Sequence, residues 1–374
     1  SDRLSAYLDA HAFDQPTLVF DLDDALENFA RLREALAPAH IHYAVKANPE
    51  PQLIRRLVAA GCRFDAASRG EVALCLDAGA RPADVSFGNT VKKAGDIAWA
   101  HERGVELFAA DAPEELEKIA ANAPGARVYL RLLVEHSEAD WPLSRKFGAP
   151  AEELPGLMRR AAALGLRPCG ISFHVGSQTR RAGMWRPVLE DAARVWHEAT
   201  AEGFAMEVLN IGGGFPAFYG EEIEGTPAYG RGVMGLIDEL FGAVPYLMCE
   251  PGRGLVAQSG VIAAEVMLVA RKRPTDIARW VYLDIGKFSG LAETIDEAIR
   301  YQFVTTADGG ETGPCVLAGP SCDSADVLYE KRPVQLPLAL RAGDKVRILC
   351  TGAYTTTYAS VGFNGFAPLQ VVCI

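Results

Sequence analysis

The segment Tyr43-Ala44-Val45-Lys46-Ala47-Asn48 ends an apolar run on a lysine. Such a lysine is either a solvated charge or a Schiff-base amine, whose pKa falls when its surroundings desolvate it. Asn210-Ile211-Gly212-Gly213-Gly214-Phe215-Pro216 is either a plain tight turn or a run of backbone N–H groups that cradles a phosphate. In Cys249-Glu250-Pro251-Gly252-Arg253-Gly254 a carboxylate and a guanidinium stand three residues apart. They form a mutual salt bridge, or each faces an opposite charge on a ligand. Phe173-His174-Val175-Gly176-Ser177 offers a hydroxyl and an imidazole, a structural histidine or a ring that stacks on a flat cofactor. Gly319-Pro320-Ser321-Cys322-Asp323-Ser324 sets a thiol beside a carboxylate, although burial is the commonest fate of a free cysteine. Thr351-Gly352-Ala353-Tyr354-Thr355 is a further polar turn. No Ser-His-Asp, nucleotide-loop or HExxH pattern competes with these segments for the chemistry.

These residues need a scaffold that brings them together, and the hydrophobic pattern supplies one. Eight short apolar runs, at 41–45, 63–66, 85–88, 106–109, 127–132, 169–175, 207–211 and 246–249, alternate with helical stretches such as 51–60, 69–78, 113–121, 154–164 and 184–201. Strands buried on both faces and separated by helices imply parallel βαβ units. Eight of them predict an α/β fold, a (β/α)8 TIM-like barrel. Nearly every run ends on a polar residue or a glycine: Lys46, Asp65, Asn89, Asp111, Arg131, His174, Gly212 to Gly214 and Glu250. In such a barrel the C-terminal strand ends converge on one mouth, where active sites are built. One polar terminus means nothing; eight in register look like a site. Beyond about residue 260 the texture turns β-rich, at 261–270, 280–283, 315–318, 334–340, 346–349 and 369–374, with one helix expected at 291–301. The expected division is a barrel over 16–258, including the run 17–20, and a mainly β domain made of 1–15 and 259–374.

Composition narrows the partners. The net charge of −11 argues against nucleic acid, whose phosphates need a basic face, and suits cationic small molecules. No apolar run approaches the roughly 20 residues that span a bilayer. The first residues also lack the basic-then-apolar pattern of a signal peptide, so a cytoplasmic location without a membrane partner is expected. Eight scattered cysteines form no CxxC or Cys/His cluster, so neither a metal site nor a disulfide framework is expected.

As a set, YAVKAN, RFDAASRGE, FHVGS, IGGGFP, EPGR, GPSCDSAD and GAYTTTYASVGFNGF resemble the signature segments of the ornithine/lysine/diaminopimelate decarboxylase family. These are fold-type-III enzymes, like alanine racemase in fold, that use pyridoxal 5′-phosphate (PLP). The resemblance runs from about residue 16 to the C-terminus, in family order. It implies that Lys46 holds PLP covalently, Glu250 pairs with the ring nitrogen and His174 stacks on the ring. Asp65, Glu71 and Arg131 would line its surroundings. Ser177, Gly212, Gly213, Gly214, Arg253 and Tyr354 would bind the phosphate. Cys322 would reprotonate the substrate α-carbon, Asp323 and Asp296 would pair with its distal amine, and Phe363 would lie close by. The resemblance also implies a homodimer, with the segment 322–323 reaching into the partner's barrel.

Racemases of this fold put arginine at the ring nitrogen, so Glu250 favours a decarboxylase. Diaminopimelate decarboxylases usually read Cys-Glu-Ser where this chain reads Cys322-Asp323-Ser324, which favours a substrate with a terminal amine. The implied reaction is decarboxylation of L-ornithine to putrescine, of L-lysine to cadaverine, or of both. Lys287 and Ile295 stand where eukaryotic ornithine enzymes carry tyrosines, which leaves chain length open. The alternatives are diaminopimelate decarboxylase and a non-catalytic decarboxylase-like regulator. Such regulators lose cofactor ligands or the cysteine, whereas Lys46, Glu250 and Cys322 are all in place. Asp296 has a second reading, an ion pair with Arg300 one helical turn on. The segment 135–148, after the fifth strand, is expected to be a mobile lid.

Overall fold

A computed structural model describes residues 1–134, 139 and 146–374. The chain divides into two compact units, one of Leu26–Pro216 and Ile223–Leu255, the other of Ser1–Ala25, Ala217–Glu222 and Val256–Ile374. After a short strand β1 (Thr17–Phe20), the first unit is a closed parallel barrel. Its strands are β2 (His40–Ala44), β3 (Arg63–Ala66), β4 (Val85–Phe87), β5 (Leu107–Ala110), β6 (Arg127–Arg131), β7 (Arg167–Ser172), β8 (Val208–Asn210) and β9 (Tyr246–Cys249). β2 and β9 close the ring, with His40 opposite Met248 and Ile41 opposite Cys249.

The barrel forms because its strands are buried at nearly every position while the helices between them are one-sided. Phe64, Phe87 and Phe108 are fully buried, and each such ring contributes roughly 1.5–3 kcal/mol by leaving water. The helix Pro51–Ala59 takes a proline in its first turn and buries Leu53, Ile54 and Leu57. β7 and β8 approach so closely that a β-carbon on Gly170 would lie 1.8 Å from the Val208 carbonyl oxygen. Parallel strands all end on the same rim, and that rim carries the polar termini expected there. β7 stops at Ser172, short of the expected end, so His174 stands in the loop beyond it.

The second unit is a nine-stranded sheet made of β1 with β10 (Gly260–Ala270), β11 (Arg279–Leu283), β12 (Phe303–Thr305), β13 (Thr312–Ala318), β14 (Val327–Leu328), β15 (Val334–Pro337), β16 (Lys345–Leu349) and β17 (Gln370–Cys373). The order along it is β12-β16-β10-β11-β13-β14. β1 pairs antiparallel with β10 and parallel with β17, which corrects the expected boundary: the run 17–20 belongs to this sheet. All four β1 residues are buried, and an apolar run of that length does not reveal which partner it takes. An unforeseen helix, Asp2–Ala10, packs Leu4 and Leu8 against Val19 and Val261. No helix among the described residues is long and apolar enough to cross a membrane. Most of the segment 135–148, expected as a lid, lies outside the described residues.

Candidate active site

Lys46 follows β2 in a single 3-10 turn, Val45–Ala47. Its neighbours Val45 and Ala47 are buried while Lys46 is exposed, so the expected desolvation of the amine is not found. Its charge nevertheless acts on Asp65, Glu71 and His174. Asp65, near the end of β3, is buried, and its Oδ1 meets no donor among the described residues. Burial, reinforced by the Glu250 carboxylate, pushes the Asp65 carboxyl well above its usual range against the pull of Lys46. A β-carbon on Gly88 would fall 1.8 Å from that same oxygen and 3.2 Å from the Tyr129 hydroxyl, so the glycine keeps the space open.

Glu71 comes from a local signal, Ser68-x-x-Glu71. The Ser68 hydroxyl accepts from the Glu71 N–H at 3.3 Å and caps the helix Arg69–Asp77, while Glu71 Oε2 accepts from the Ala67 N–H at 2.7 Å. Burial raises the Glu71 carboxyl, with the Ala67 N–H and Lys46 opposing. His174 accepts from the Gly176 N–H at Nδ1 (3.0 Å), so its neutral ring carries the proton on Nε2. Burial, then the charges of Arg131 and Lys46, hold its pKa well below the usual value. The Arg131 guanidinium itself lies 5.2 Å from the Phe147 ring centroid.

The turn after β8 is glycine by necessity. Gly212 and Gly214 have φ of +67° and +104°, and a β-carbon on Gly212 would sit 2.1 Å from the Phe173 carbonyl oxygen. Beside Gly213 a β-carbon would meet His174 Nε2 at 3.0 Å. Asn210 ties this turn to the end of β9. Its Nδ2 donates to Glu250 Oε1 at 2.5 Å, and its Oδ1 accepts from the Gly212 N–H at 2.9 Å. The Glu250 N–H closes the loop by donating to the Gly212 carbonyl at 2.7 Å. Buried Arg253 donates through Nε to Ser177 Oγ at 3.1 Å. An amine, a neutral imidazole, a carboxylate held by an amide, an orphaned carboxyl oxygen and a glycine turn fit a flat cofactor bearing an aldehyde and a phosphate.

Tyr354, Cys322, Asp323, Asp296 and Phe363 belong to the other unit. Cys322 is exposed; its N–H donates to Asn364 Oδ1 at 3.0 Å, and the Asn364 amide donates to its Sγ at 3.4 Å. Asp323, also exposed, accepts from the Ala325 N–H at 2.8 Å. The anchor of this loop is Asp326. Its buried carboxylate accepts from the Ser321 hydroxyl at 2.7 Å, the Ser321 N–H at 3.2 Å and the Lys287 N–H at 2.7 Å. Phe363 packs edge-on against Phe288 with centroids 5.3 Å apart. Tyr354 adopts a left-handed φ of +59°.

The helix expected at 291–301 is instead a 3-10 segment, Ala292–Glu297, broken at Ile295 and Asp296. Asp296 and Glu297 have φ of +53° and +58°, each costing on the order of 1 kcal/mol or more for a residue with a β-carbon. Arg300 pairs with Glu297 at 2.9 Å, not with Asp296 as the helical alternative required. Asn210, Asn364, Asp326 and Glu297 were not singled out from the sequence. The first three lie in or beside the signature segments; Glu297 had no signal.

Residues 22–257 match the family model described as pyridoxal-dependent decarboxylase, pyridoxal binding domain. The chain is 34% identical to the lysine/ornithine decarboxylase of Selenomonas ruminantium, over 94% of this chain and 87% of that protein. It is 30% identical to antizyme inhibitor 2 of Xenopus laevis, over 94% of this chain and 79% of that one. The crystal structure of SrLDC in complex with PLP and cadaverine is similar at a TM-score of 0.88 and 32% identity, covering 100% of this chain and 94% of that one.

Proposed function

The chain belongs to the pyridoxal-dependent decarboxylase family, and from that membership we propose that it decarboxylates L-ornithine to putrescine, L-lysine to cadaverine, or both. The observation that carries the substrate class is Asp323, which follows Cys322 on an exposed loop, with Asp296 as a second exposed carboxylate in the same unit. Both suit a distal ammonium. The names of the Selenomonas relative and the cadaverine in the SrLDC structure agree with this reading.

PLP, when bound, draws in the electron pair left on the α-carbon as CO2 departs. Lys46 would hold it through Nζ. Glu250, oriented by Asn210, would hold a proton at its ring nitrogen. His174, fixed through Nδ1, would lie against the ring as a neutral surface, with Asp65, Glu71 and Arg131 around it. The N–H groups of Gly212 to Gly214, with Ser177, Arg253 and Tyr354, would hold the phosphate. Cys322 would deliver a proton from Sγ to the α-carbon, while Asp323 and Asp296 bind the distal ammonium and Phe363 lies nearby.

The working form in this reading is a homodimer, with segment 322–323 of one subunit serving the barrel of its partner. Tyr358, Val361, Phe363 and Phe366 are exposed apolar residues on the unit that carries Cys322, which supports a covered surface there. The reaction is assigned to the cytoplasm, where free amino acids are supplied. Similarity to antizyme inhibitor 2 raises a non-catalytic reading, which the joint presence of Lys46, Glu250 and Cys322 opposes.

The test is CO2 release by the PLP-loaded protein, offered L-ornithine, L-lysine and meso-diaminopimelate separately. Turnover of ornithine or lysine with diaminopimelate inert is expected. Turnover of diaminopimelate alone would overturn the substrate class. No turnover at all, with the PLP absorbance intact, would favour the regulator.

A further inference from the structure

Asp296 and Glu297 are consecutive residues in the left-handed region, and neither is glycine. Such a pair persists only where its surroundings over-determine it. Asp296 contributes little to that: its side chain is 86% exposed, 3.9 Å from the exposed Lys331 amine. Backbone bonds from the Ala298 N–H to the Ile295 carbonyl (3.1 Å) and from the Ile299 N–H to the Glu293 carbonyl (3.0 Å) span the kink, and the side chain of Glu297 anchors it. That side chain is 7% exposed, and both carboxylate oxygens are shared among donors. Oε1 accepts from the Lys331 N–H at 2.6 Å and the Arg332 N–H at 3.2 Å. Oε2 accepts from Arg300 Nη1 at 2.9 Å and Arg332 Nε at 3.3 Å. Arg332 Nη2 also donates to the Glu297 carbonyl at 3.4 Å.

The donors are themselves fixed. Arg300 donates through Nη2 to the Arg332 carbonyl at 2.7 Å, and its guanidinium lies 4.7 Å from the Tyr329 ring centroid. Burial raises the Glu297 carboxyl, but the Lys331 and Arg332 N–H groups outweigh it and leave the group below the usual glutamate range. One inward-turned carboxylate thus bolts the strained kink to residues 329–332, while its neighbour projects into solvent.

We propose that Glu297 is a positioning residue: it locks the kink that presents Asp296 to the distal ammonium of the substrate, and so sets the chain length accepted. The inference rests on the basic-amino-acid reading above. A carboxylate on a locked kink meets an ammonium at one reach. On a loosened kink it meets both, and discrimination falls.

The experiment compares Glu297→Gln, Asp296→Asn and the double variant, each loaded with PLP. KM and kcat are measured on L-lysine and L-ornithine, and the affinity for cadaverine and putrescine is measured by calorimetry. Asp296→Asn is expected to raise KM for the preferred substrate about 10-fold or more. Glu297→Gln is expected to raise it about 5-fold, with kcat within about 2-fold, the cofactor absorbance unchanged and the lysine/ornithine preference reduced. Diamine affinity should fall in step, and the double variant should be no worse than Asp296→Asn alone. A normal KM in Glu297→Gln, or KM effects that multiply in the double variant, would overturn the role of Glu297. A normal KM in Asp296→Asn would overturn the reading of Asp296 itself, and this inference with it. If Glu297→Gln does not fold, Arg332→Met removes the side-chain donors of Arg332 alone. It should raise KM about 2-fold, and no change would overturn the proposal.

Discussion

At the barrel mouth most of the reactive groups are themselves withdrawn from solvent: Asp65 and Arg253 are buried, and Glu71, His174 and Glu250 are partly so, while Lys46 is exposed. Among these, Glu71, His174, Glu250 and Arg253 each make a hydrogen bond of their own. In the β unit the candidates Cys322, Asp323 and Asp296 are exposed, and the buried bonds belong to neighbours, Asp326 and Glu297. The barrel therefore tunes by burial, shifting the protonation of Asp65 and His174. The β unit presents: it sets exposed groups on loops whose shape is fixed by a carboxylate behind them. In the proposed reading one region would hold the cofactor and the other would offer a proton and two charges.

Lys46→Ala should give the largest loss, lowering CO2 release by at least about 10³-fold and abolishing the absorbance of lysine-bound PLP. Cys322→Ala should lower kcat on the order of 10²-fold while leaving that absorbance unchanged. A changed cofactor spectrum in Cys322→Ala would break the division of labour. Gly212→Ala forces a β-carbon to within 2.1 Å of the Phe173 carbonyl at a φ of +67°. If the cost is about 3 kcal/mol, PLP affinity falls on the order of 10²-fold in an absorbance titration.

The last effect leaves activity aside and concerns the barrel's own stability. His42 in β2 is buried, with Nε2 2.9 Å from the Tyr246 hydroxyl, and burial, then Arg63, lowers its pKa to about 3. Its unfolded pKa is about 6.5, so between those values the unfolded chain binds the extra proton. Stability from this group is complete above about pH 6.5 and declines by up to about 1.4 kcal/mol per pH unit as the pH falls toward 3. Asp65, with its raised pKa, acts in the opposite sense. His42→Gln should therefore flatten the acid-side fall of Tm relative to the parent chain, because the buried imidazole that resists protonation is gone while Asp65 is unchanged. Parallel curves would contradict the assignment.

Much of this contrast could be read from the sequence, but unevenly. The barrel was legible because eight strands buried on both faces leave eight apolar runs, each closed by a polar or glycine residue. The sequence misplaces β1 because an apolar run as short as Thr17–Phe20 fits either a barrel strand or an interior strand of a mixed sheet. The reactive residues stood out by type and spacing. Their anchors did not: Asp326 and Glu297 look like surface carboxylates until the fold buries them. The break at Asp296 was hidden for the same reason, since the carboxylate that enforces it acts through residues more than thirty positions away. The exposure of Lys46 was likewise invisible, because burial at a mouth depends on loops rather than on the strand that carries the lysine.

The most direct test of a cofactor region and a proton-donating region that complete each other across a dimer is subunit mixing. Lys46→Ala protein and Cys322→Ala protein, each nearly inactive alone, are combined under conditions where subunits exchange. If the thiol serves the partner's barrel, the mixture should recover up to about a quarter of the parent activity, since half of random dimers are mixed and each of those holds one intact site. No recovery, with exchange confirmed, would contradict the account.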